Sequence, residues 1–430
     1  MHELEKKIRE KKAVIGVIGL GYVGLPLASN FTRKGYRVIG FDIDKVKVKK
    51  VNKQINYIKN VDLKKYKKKI LATSKFNKIS LCDIIIITVP TPLKKNFIPD
   101  LSFIKNSVKS ILPFLKKNQL ISLESTSYPG TTEDEITKKI KNKHVGKDIF
   151  ICYSPEREDP GNRYFKTKDI PKIISGQTSN CLKIGKIFYG IFFKSLVPVS
   201  STKTAEFTKL LENIYRSVNI GLVNEMKIIS KFMNINIHEA IRAASTKPFG
   251  FRPFDPGPGM GGHCIPIDPF YMSWKSKQLG YDPQFIKQAG NINTIMPKWI
   301  VSNVEKNFKL KKINIRNSKL LIIGIAYKKN IDDDRESPAY EIIKILEKKG
   351  AKISYHDPLI KKLNFKSITK NLKSISLRQK NLKKFDASII VTDHDIINYS
   401  HIRKYSKIIF DCRNRFKTKP NKTDDKIIKI

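Results

Sequence analysis

The residues best suited to chemistry in this chain surround a cysteine. Cys264 lies in the segment Pro256-Gly-Pro-Gly-Met-Gly-Gly-His-Cys-Ile-Pro-Ile-Asp-Pro269, so that the carboxylate of Asp268 follows it four residues later. Glycine and proline at this density hold an irregular backbone and are unsuited to the interior of a helix or strand. A thiol held in this way predicts a nucleophile, although a lone cysteine also fits a small buried hydrophobic side chain.

A glycine-rich segment near the beginning of the sequence predicts a dinucleotide site. Gly19-Leu-Gly-Tyr-Val-Gly24 follows a strand-like segment, precedes a helix-like one, and is followed about twenty residues later by Asp42. The first glycine makes the tight turn, the second admits the pyrophosphate, and the third allows the helix to pack closely on the strand. Asp42 would accept hydrogen bonds from the adenosine ribose, which favours NAD over NADP, and Lys47 could weaken that preference. A thiol together with a nicotinamide indicates oxidation through a covalent sulfur intermediate.

Two polar residues of a long helical pattern form a third candidate group. Lys209 and Asn213 lie four residues apart, so their side chains share one face of the predicted helix. Alone, this pair also fits a solvated polar stripe, and Asp268 before Pro269 also fits a simple helix N-cap. These residues become informative only in combination with Cys264 and the dinucleotide segment.

An alternation of strands and helices positions these residues. Apolar strand-like segments are expected at residues 13–18, 36–42, 83–89, 120–124, 319–327, 352–357, 387–391 and 407–411. The pattern predicts an α/β fold in which two Rossmann-like doubly wound domains are joined by a long central helix. The expected domain boundaries are residues 1–200, 201–305 and 306–430.

The longest helical pattern runs from about residue 202 to residue 233. Its apolar side chains recur at steps of three and four residues: Phe207, Leu211, Ile214, Val218, Leu222, Met226, Ile229 and Met233. A helix of this length would extend over roughly 45 Å. It is long enough to connect two domains or to form a contact between subunits.

The composition excludes several classes of protein. The formal net charge is +46, but only 14 of the 84 basic residues are arginine, and the remaining 70 lysines are spread along the whole chain. Nucleic-acid recognition favours the rigid fork of arginine, and Lys, Ile and Asn share A/T-rich codons, so no nucleic-acid partner is expected. No apolar stretch reaches the length of about 18 residues that a membrane span needs, and the N-terminus is too charged for a signal peptide, which predicts a cytoplasmic protein. The five cysteines are scattered without C-x-x-C spacing, so neither a disulfide framework nor a metal site is expected.

Taken together, these segments resemble the UDP-sugar 6-dehydrogenase family, which oxidises the 6-hydroxyl of a nucleotide sugar to a carboxylate with two NAD⁺. The resemblance covers nearly the whole chain. It rests on Gly19-Leu-Gly-Tyr-Val-Gly24, Val89-Pro-Thr-Pro92, Glu124-Ser-Thr126, Ser154-Pro-Glu156, Ala205-Glu-Phe-Thr-Lys-Leu-Leu-Glu-Asn213, Gly261-Gly-His-Cys264 with Asp268, and Tyr327-Lys-Lys-Asn-Ile-Asp-Asp-Asp-Arg-Glu-Ser-Pro338. It implies that the first domain binds NAD, the central region dimerises and carries the cysteine loop, and the third domain binds the UDP-sugar.

The resemblance also implies catalytic roles. The Cys264 thiolate would form a thiohemiacetal with the aldehyde, and loss of a second hydride would give a thioester that water cleaves. Lys209 would stabilise oxyanions, while Asn213 and Thr126 would hold a water or the oxyanion. Asp268 is the expected general base, and Glu156 is a second candidate that would act on the water of the thioester.

Binding residues follow from the same resemblance. The expected cofactor contacts are Gly19, Gly21, Tyr22, Val23, Gly24, Asp42, Lys47, Pro90, Thr91, Thr126 and Arg335. The expected substrate contacts are Glu156, Lys209, Asn213, Phe249, Arg252, Gly257, Gly259, Gly261, Tyr327 and Lys328. For Asp332–Asp334 and Arg335, the alternative is a solvated turn with weak ion pairs, but their position after a strand end favours a ligand role.

The sequence leaves alternatives open for both the sugar substrate and the activity. The segments around Glu156 and Cys264 look more like the N-acetylhexosamine branch, and Ile265-Pro-Ile267 is more similar to UDP-N-acetylglucosamine enzymes than to N-acetylmannosamine ones. The expected product is a uronate for surface polysaccharide. The enzyme is expected to be at least a homodimer whose subunits contact each other through residues 202–233. The alternatives are a UDP-glucose or UDP-N-acetylmannosamine 6-dehydrogenase, a two-electron hydroxyacid dehydrogenase that does not need Cys264, and a basic binding protein without catalysis.

Overall fold

The computed structural model describes residues 3–58, 61–66, 69–157, 167–263, 265–363, 372–417 and 424–430. The chain divides into two compact units, each made of two stretches of sequence. Unit 1 is Met1–Glu212 with Phe270–Tyr281, and unit 2 is Asn213–Pro269 with Asp282–Ile430. The division into the three expected domains stays a prediction.

Unit 1 contains an eight-stranded sheet. Its strands are β1 (Val14–Ile18), β2 (Arg37–Phe41), β3 (Ile70–Thr73), β4 (Ile84–Ile87), β5 (Gln119–Leu123), β6 (Ile149–Tyr153), β7 (Lys172–Gly176) and β8 (Leu196–Pro198). The order is β3-β2-β1-β4-β5-β6-β7-β8, and the pairs are parallel except for β6 with β7. The strand order therefore reverses beside β1, where doubly wound folds bind nucleotides.

Unit 2 contains a five-stranded sheet in which all pairs are parallel. Its strands are β9 (Lys319–Ile323), β10 (Lys352–His356), β11 (Ala387–Ile390), β12 (Ile409–Asp411) and β13 (Ile427–Lys429), in the order β10-β9-β11-β12-β13. This order is the second common doubly wound arrangement. The predicted fold class of two Rossmann-like sheets and a long helix is confirmed.

Helices connect and cover the strands. In the described residues they are α1 (Glu3–Arg9), α2 (Gly24–Arg33), α3 (Lys45–Asn52), α4 (Ser102–Ile111), α5 (Thr131–Glu135), α6 (Ser179–Tyr189), α7 (Thr202–Phe232), α8 (Ile237–Ala244), α9 (Asp268–Gln278), α10 (Gln284–Leu310), α11 (Pro338–Lys348), α12 (Gln379–Leu382) and α13 (Tyr399–Tyr405). Helix α7 matches the predicted long helix, and the Ser201 hydroxyl caps it by accepting from the backbone N–H of Thr204 at 3.0 Å.

The strands form where apolar residues run without interruption. The four isoleucines of β4 are all buried, as expected for a parallel strand that is covered on both faces. The predicted strand at 319–327 ends earlier, at Ile323, because Gly324 turns the chain with φ +84°. Each unit encloses a hydrophobic core of its own, and the two sheets are separate.

Helix α9 belongs to unit 1 from Phe270 onward, although it lies far along the sequence. The side chain of Tyr271 is 1% exposed, and its hydroxyl donates to the backbone oxygen of Pro92 at 3.1 Å. The ring of Trp274 packs against Tyr128 with centroids 5.2 Å apart. This helix therefore completes the part of unit 1 that follows β4 and β5.

Among the described helices, none has the length and apolar character needed to cross a bilayer. The described residues also contain no group of three or more His, Cys, Asp or Glu side chains arranged to hold a metal ion.

Candidate active site

The glycine turn after β1 is built by close backbone contacts. Gly19 has φ +93°, and its N–H donates to the backbone oxygen of Phe41 at 2.8 Å. A Cβ on Gly24 would lie 1.8 Å from the Gly19 oxygen, so only glycine allows helix α2 to start this close to the turn. A Cβ on Gly21 would meet nothing within 4 Å, so the space beside that residue is open. The turn thus has the form that a pyrophosphate group requires.

The start of helix α2 follows directly on that open turn. In the described residues, no side chain caps the helix at its N-cap, Val23. The first N–H groups of a helix lack partners within the helix and favour anions. Tyr22 is 48% exposed at the same turn. An uncapped helix start beside an open glycine turn fits the phosphates of a dinucleotide.

Asp42 links this turn to the end of β2. Its carboxylate accepts from the N–H of Leu20 and the N–H of Asp44, both at 2.9 Å. The Lys47 ammonium lies 3.8 Å from the same carboxylate. A carboxylate has about four acceptor positions, so Asp42 keeps capacity for ribose hydroxyls while it holds the turn.

Three neighbouring parallel strands carry the next candidate residues at one edge of the sheet. Pro90 and Thr91 follow β4, Thr126 follows β5 and Glu156 follows β6. The Ser125 hydroxyl donates to the Val89 oxygen at 2.7 Å and so joins two of these loops. Pro90 is exposed, while Thr91 and Thr126 are half-buried. The fold therefore brings these sequence-predicted residues to the same edge as the glycine turn.

A buried ion-pair network supports Glu156. The Lys172 ammonium, 2% exposed, lies 2.7 Å from the Glu124 carboxylate and 3.4 Å from the Glu156 carboxylate. The Tyr189 hydroxyl donates to the other Glu124 oxygen at 2.7 Å. Burial opposes the charged form of Lys172, but the two carboxylates together outweigh it and raise the pKa of the ammonium. Lys172 thus stays charged and favours the ionised form of Glu156.

Sequence reasoning missed Lys172, and only one signal pointed to it. Lys172 opens the apolar run Lys172-Ile-Ile174, and a lysine in a buried strand needs a partner. Its partner Glu124 lies 48 residues away in sequence, so spacing alone does not reveal the pair. Glu156 also accepts from the N–H of Arg157 at 2.8 Å, and Arg157 pairs with Glu212 at 2.6 Å.

One face of helix α7 is polar and buried. Glu206, Lys209 and Asn213 are 0%, 7% and 4% exposed. The Asn213 amide donates to the carboxylate of Asp268, itself 2% exposed, at 2.5 Å. The interpretation of Lys209 and Asn213 as a solvated stripe is therefore wrong, and Asn213 and Asp268 are brought together.

Cys264 lies outside the described residues, but the glycine segment before it is fixed within unit 2. The N–H of Gly257 donates to the Asn224 side chain at 2.8 Å, and the N–H of Gly262 donates to the Arg335 backbone oxygen at 2.9 Å. A Cβ on Gly261 would lie 2.6 Å from the Cβ of Tyr327. The expected substrate residues Gly257, Gly261 and Tyr327 thus belong to one cluster.

Three residues of this cluster were missed from the sequence, namely Asn224, Asn293 and Arg413. A Cβ on Gly257 would lie 2.6 Å from the Arg413 guanidinium, and Asn224 donates to Asn293 at 2.8 Å. Gly259 likewise lies close to the backbone of Asn293, since a Cβ there would be 3.3 Å from its oxygen. These contacts involve residues on distant elements, which no local motif predicts.

The acidic run after Tyr327 is largely buried. Asp333 and Asp334 are 8% and 4% exposed, and Asp333 pairs with the Arg335 guanidinium at 2.6 Å. The interpretation of this run as a solvated turn is therefore wrong. Phe249 and Arg252 are exposed, and Phe249 contacts Lys247. The ligand roles of Lys328, Arg335, Phe249 and Arg252 stay predictions.

A doubly wound sheet with this glycine turn and this acidic residue defines a dinucleotide-binding protein of the Rossmann type. Three family models cover most of the chain: the NAD binding domain of the UDP-glucose/GDP-mannose dehydrogenase family matches residues 13–193, the central domain residues 203–295, and the UDP binding domain residues 321–418. The chain belongs to the UDP-glucose/GDP-mannose dehydrogenase family. It is an enzyme, and its cofactor is NAD.

Relatives with two different sugar substrates are similar to this chain. It is 35% identical to a UDP-N-acetyl-D-mannosamine dehydrogenase of Methanococcus aeolicus, over 96% of this chain and 93% of the relative. It is 34% identical to a UDP-N-acetyl-D-glucosamine 6-dehydrogenase of Pseudomonas aeruginosa, over 81% of this chain and 84% of the relative. The solved structure of a UDP-D-ManNAc dehydrogenase from Pyrococcus horikoshii matches with a TM-score of 0.86 and 30% identity, over 97% of this chain and 99% of that chain.

Proposed function

We propose that this enzyme oxidises the C6 hydroxyl of UDP-N-acetylglucosamine to the carboxylate, with two NAD⁺ per sugar, to supply a uronate for surface polysaccharide. The observation that supports the proposal is the buried contact of Asn213 with Asp268, because this contact would orient the proposed general base, which follows Cys264 by four residues in sequence. The identity of the sugar rests on the pattern Ile265-Pro-Ile267.

In this mechanism Asp268 takes the proton of the C6 hydroxyl during the first oxidation. Asn213 donates its amide hydrogen to that carboxylate and so orients it. The ammonium of Lys209 stabilises negative charge on the C6 oxygen as it develops. NAD⁺ held by the glycine turn and Asp42 would supply the hydride acceptor for each of the two oxidations.

The aldehyde needs a nucleophile before a second hydride can leave. The Cys264 sulfur bonds to the aldehyde carbon, and the carbonyl electron pair moves to the oxygen, which Lys209 stabilises. The second oxidation leaves a thioester on Cys264. Glu156 then takes a proton from the water that attacks the thioester, which breaks the carbon–sulfur bond and releases the uronate. The Lys172 ammonium, 3.4 Å from the Glu156 carboxylate, favours the charged form that a base requires.

Thr126 and the glycine turn are assigned to the binding of the cofactor. The uncapped start of α2 would hold the pyrophosphate, and Asp42 would accept from the ribose hydroxyls. Pro90, Thr91 and Thr126 follow adjacent strands at the same edge and would contact the cofactor there. Arg335 is assigned to the cofactor, and Tyr327, Lys328 and Arg252 to the UDP-sugar.

A second candidate substrate is UDP-N-acetylmannosamine. A relative of that name aligns with 96% of this chain, and the solved structure with a TM-score of 0.86 is that of a UDP-D-ManNAc dehydrogenase. The cysteine chemistry is the same for both sugars, so only the sugar pocket distinguishes them.

The experiment measures NADH formed per sugar with UDP-N-acetylglucosamine, UDP-N-acetylmannosamine, UDP-glucose and UDP-galactose. We expect two NADH per molecule of UDP-N-acetylglucosamine and little turnover of the others. With the Cys264→Ser variant, oxidation of the sugar should stop before the carboxylic acid forms. The control is Cys82→Ser, because Cys82 is a buried cysteine of unit 1. One NADH per sugar in the wild type would contradict the four-electron mechanism, and turnover of UDP-N-acetylmannosamine alone would reassign the sugar. No NADH with any UDP-sugar would favour the non-catalytic alternative.

A further inference from the structure

The first turns of the two sheets are built alike. Gly324 after β9 has φ +84° and donates its N–H to the His356 oxygen at 2.9 Å, as Gly19 does to Phe41 in unit 1. A Cβ on Gly324 would lie 2.1 Å from the Thr392 oxygen, just as one on Gly19 would approach Thr88 at 2.9 Å. Strands β1 and β9 therefore end in the same kind of glycine turn. Each turn packs closely against a residue that follows the neighbouring strand, Thr88 after β4 and Thr392 after β11.

The acidic residue at the end of the second strand differs between the units. Asp42 follows β2 and receives two backbone N–H groups. Asp357 follows β10 and is 0% exposed. It accepts from the N–H groups of Ile325, Ala326, Leu359 and Ile360 at 2.7–3.0 Å. With His394 as a fifth donor, the roughly four acceptor positions of a carboxylate are all used, so Asp357 cannot bind a ribose as Asp42 can.

His394 connects Asp357 to a second anchor. It is 0% exposed, and its Nε2 lies 3.1 Å from the Asp357 carboxylate. Its Nδ1 accepts from the backbone N–H of Asn330 at 2.9 Å. The tautomer that satisfies both contacts carries its hydrogen on Nε2.

The segment 325–330 is thereby held at both ends. Asp357 binds its first two N–H groups, and Thr392 donates its hydroxyl to the Ala326 oxygen at 2.5 Å. At the other end, the Asn330 side chain and Asp395 exchange two hydrogen bonds at 2.6 and 3.0 Å. Tyr327 and Lys328 lie between the two anchors.

We propose that Asp357 and His394 are positioning residues for the uridine diphosphate, because together they fix the segment that presents Tyr327 and Lys328. This inference rests on the proposed function, which assigns those two residues to the UDP. Burial alone would raise the pKa of Asp357, but hydrogen bonds from His394 and the backbone outweigh it and lower the pKa to about 2. The carboxylate therefore remains ionised and able to hold the turn over the whole working range of pH.

The test uses two variants that each keep one of the two contacts. His394→Asn retains an acceptor near the Nδ1 position and loses the donor to Asp357, while His394→Gln retains the donor and loses the acceptor for Asn330. His144→Asn is the control, because the His144 side chain is 88% exposed in unit 1. UDP and NAD⁺ are titrated separately into each full-length protein by calorimetry, and KM is measured for both substrates.

We expect both His394 variants to bind UDP about tenfold more weakly, as loss of one buried hydrogen bond implies, and to bind NAD⁺ as the wild type does. The KM for the UDP-sugar should rise by a similar factor, and the control should match the wild type. UDP affinity within twofold of the wild type in both variants would overturn the inference, and so would equal losses of UDP and NAD⁺ affinity, which indicate general disruption. If the wild type binds NAD⁺ but not UDP, the proposed function fails and this inference fails with it.

Discussion

At the scale of single residues, Lys172 is the charge on which the proposed base depends. It lies between Glu124 and Glu156 at 2.7 and 3.4 Å, and it is 2% exposed. Removing one partner of a buried ion pair leaves uncompensated charge and costs about 3–5 kcal/mol. The positive charge of the same ammonium favours the ionised form of the Glu156 carboxylate.

Replacing Lys172 with methionine should therefore change the pH dependence of turnover. Without the ammonium, Glu124 and Glu156 repel each other and the pKa of Glu156 rises, so we expect kcat to fall and its acidic limb to move to higher pH. The measurement is kcat against pH for Lys172→Met and for Lys194→Met, whose side chain is 67% exposed. An acidic limb that stays in place in Lys172→Met would contradict the role of Lys172.

Sequence alone anticipated the residues whose signal is local. The glycine turn, Asp42 and the β1 and β2 strands follow from spacing and apolar runs. The contact between Asn213 and Asp268 spans 55 residues, and Lys172 reaches Glu124 across 48. Such pairs arise when strand order and helix packing bring distant segments together, so no periodicity could predict them. The strand β7 was missed for a different reason, because its five residues open with a lysine and leave only a short apolar run.

At the scale of elements, Glu206 fastens helix α7 to the loop that follows β5. Glu206 is 0% exposed and accepts from the Gly130 N–H, the Thr132 N–H and the Thr132 hydroxyl at 2.6, 2.8 and 2.7 Å. The helix carries Lys209 one turn later, and the loop carries Thr126 a few residues earlier. Burial raises the pKa of Glu206 from 4.5 to about 7, and the three donors only partly oppose this.

Glu206 should therefore make stability depend on pH. Its folded-state pKa is raised, so the folded state binds the proton more tightly, and its contribution is full below about pH 4.5 and is lost as pH rises through about 7. We expect the loss to be on the order of 3 kcal/mol in the free energy of unfolding. Glu206→Gln should remove this pH dependence and lower stability at all pH values, because its amide group faces the Gly130 N–H.

The measurement is urea unfolding between pH 4.5 and pH 8 for the wild type, Glu206→Gln and Glu239→Gln. Glu239 is exposed on α8 and serves as the control. A pH dependence that is unchanged in Glu206→Gln would show that another group is responsible.

At the scale of the whole molecule, helix α7 buries several polar side chains and exposes several apolar ones. Its buried side chains include Glu206, Lys209, Asn213, Ser217, Asn224 and Lys227. Its exposed side chains include Phe207, Leu211, Tyr215, Leu222, Met226, Ile229 and Phe232. Soluble helices place these two kinds of residue the other way round, and exposed apolar patches mark interaction sites.

We expect this face to form the contact of a homodimer, as the sequence pattern at residues 202–233 predicts. Leu222 is 54% exposed, so Leu222→Glu should weaken the dimer without disturbing the fold of the subunit. Light scattering at several concentrations should show a dimer for the wild type and a smaller mass for Leu222→Glu. Ile396→Glu is the control, because Ile396 is 75% exposed on unit 2. A monomeric wild type would contradict the assignment.

The discontinuous make-up of the units has a consequence for synthesis on the ribosome. Unit 1 needs Phe270–Tyr281, which the ribosome makes only after the first 57 residues of unit 2, from Asn213 to Pro269, have emerged. Until then, the surface that Tyr271 and Trp274 cover beside Pro92 and Tyr128 is open to water in the nascent chain. Unit 1 therefore cannot finish folding before the first stretch of unit 2 has been made, and a nascent chain cut short before residue 270 would need a chaperone to remain dispersed.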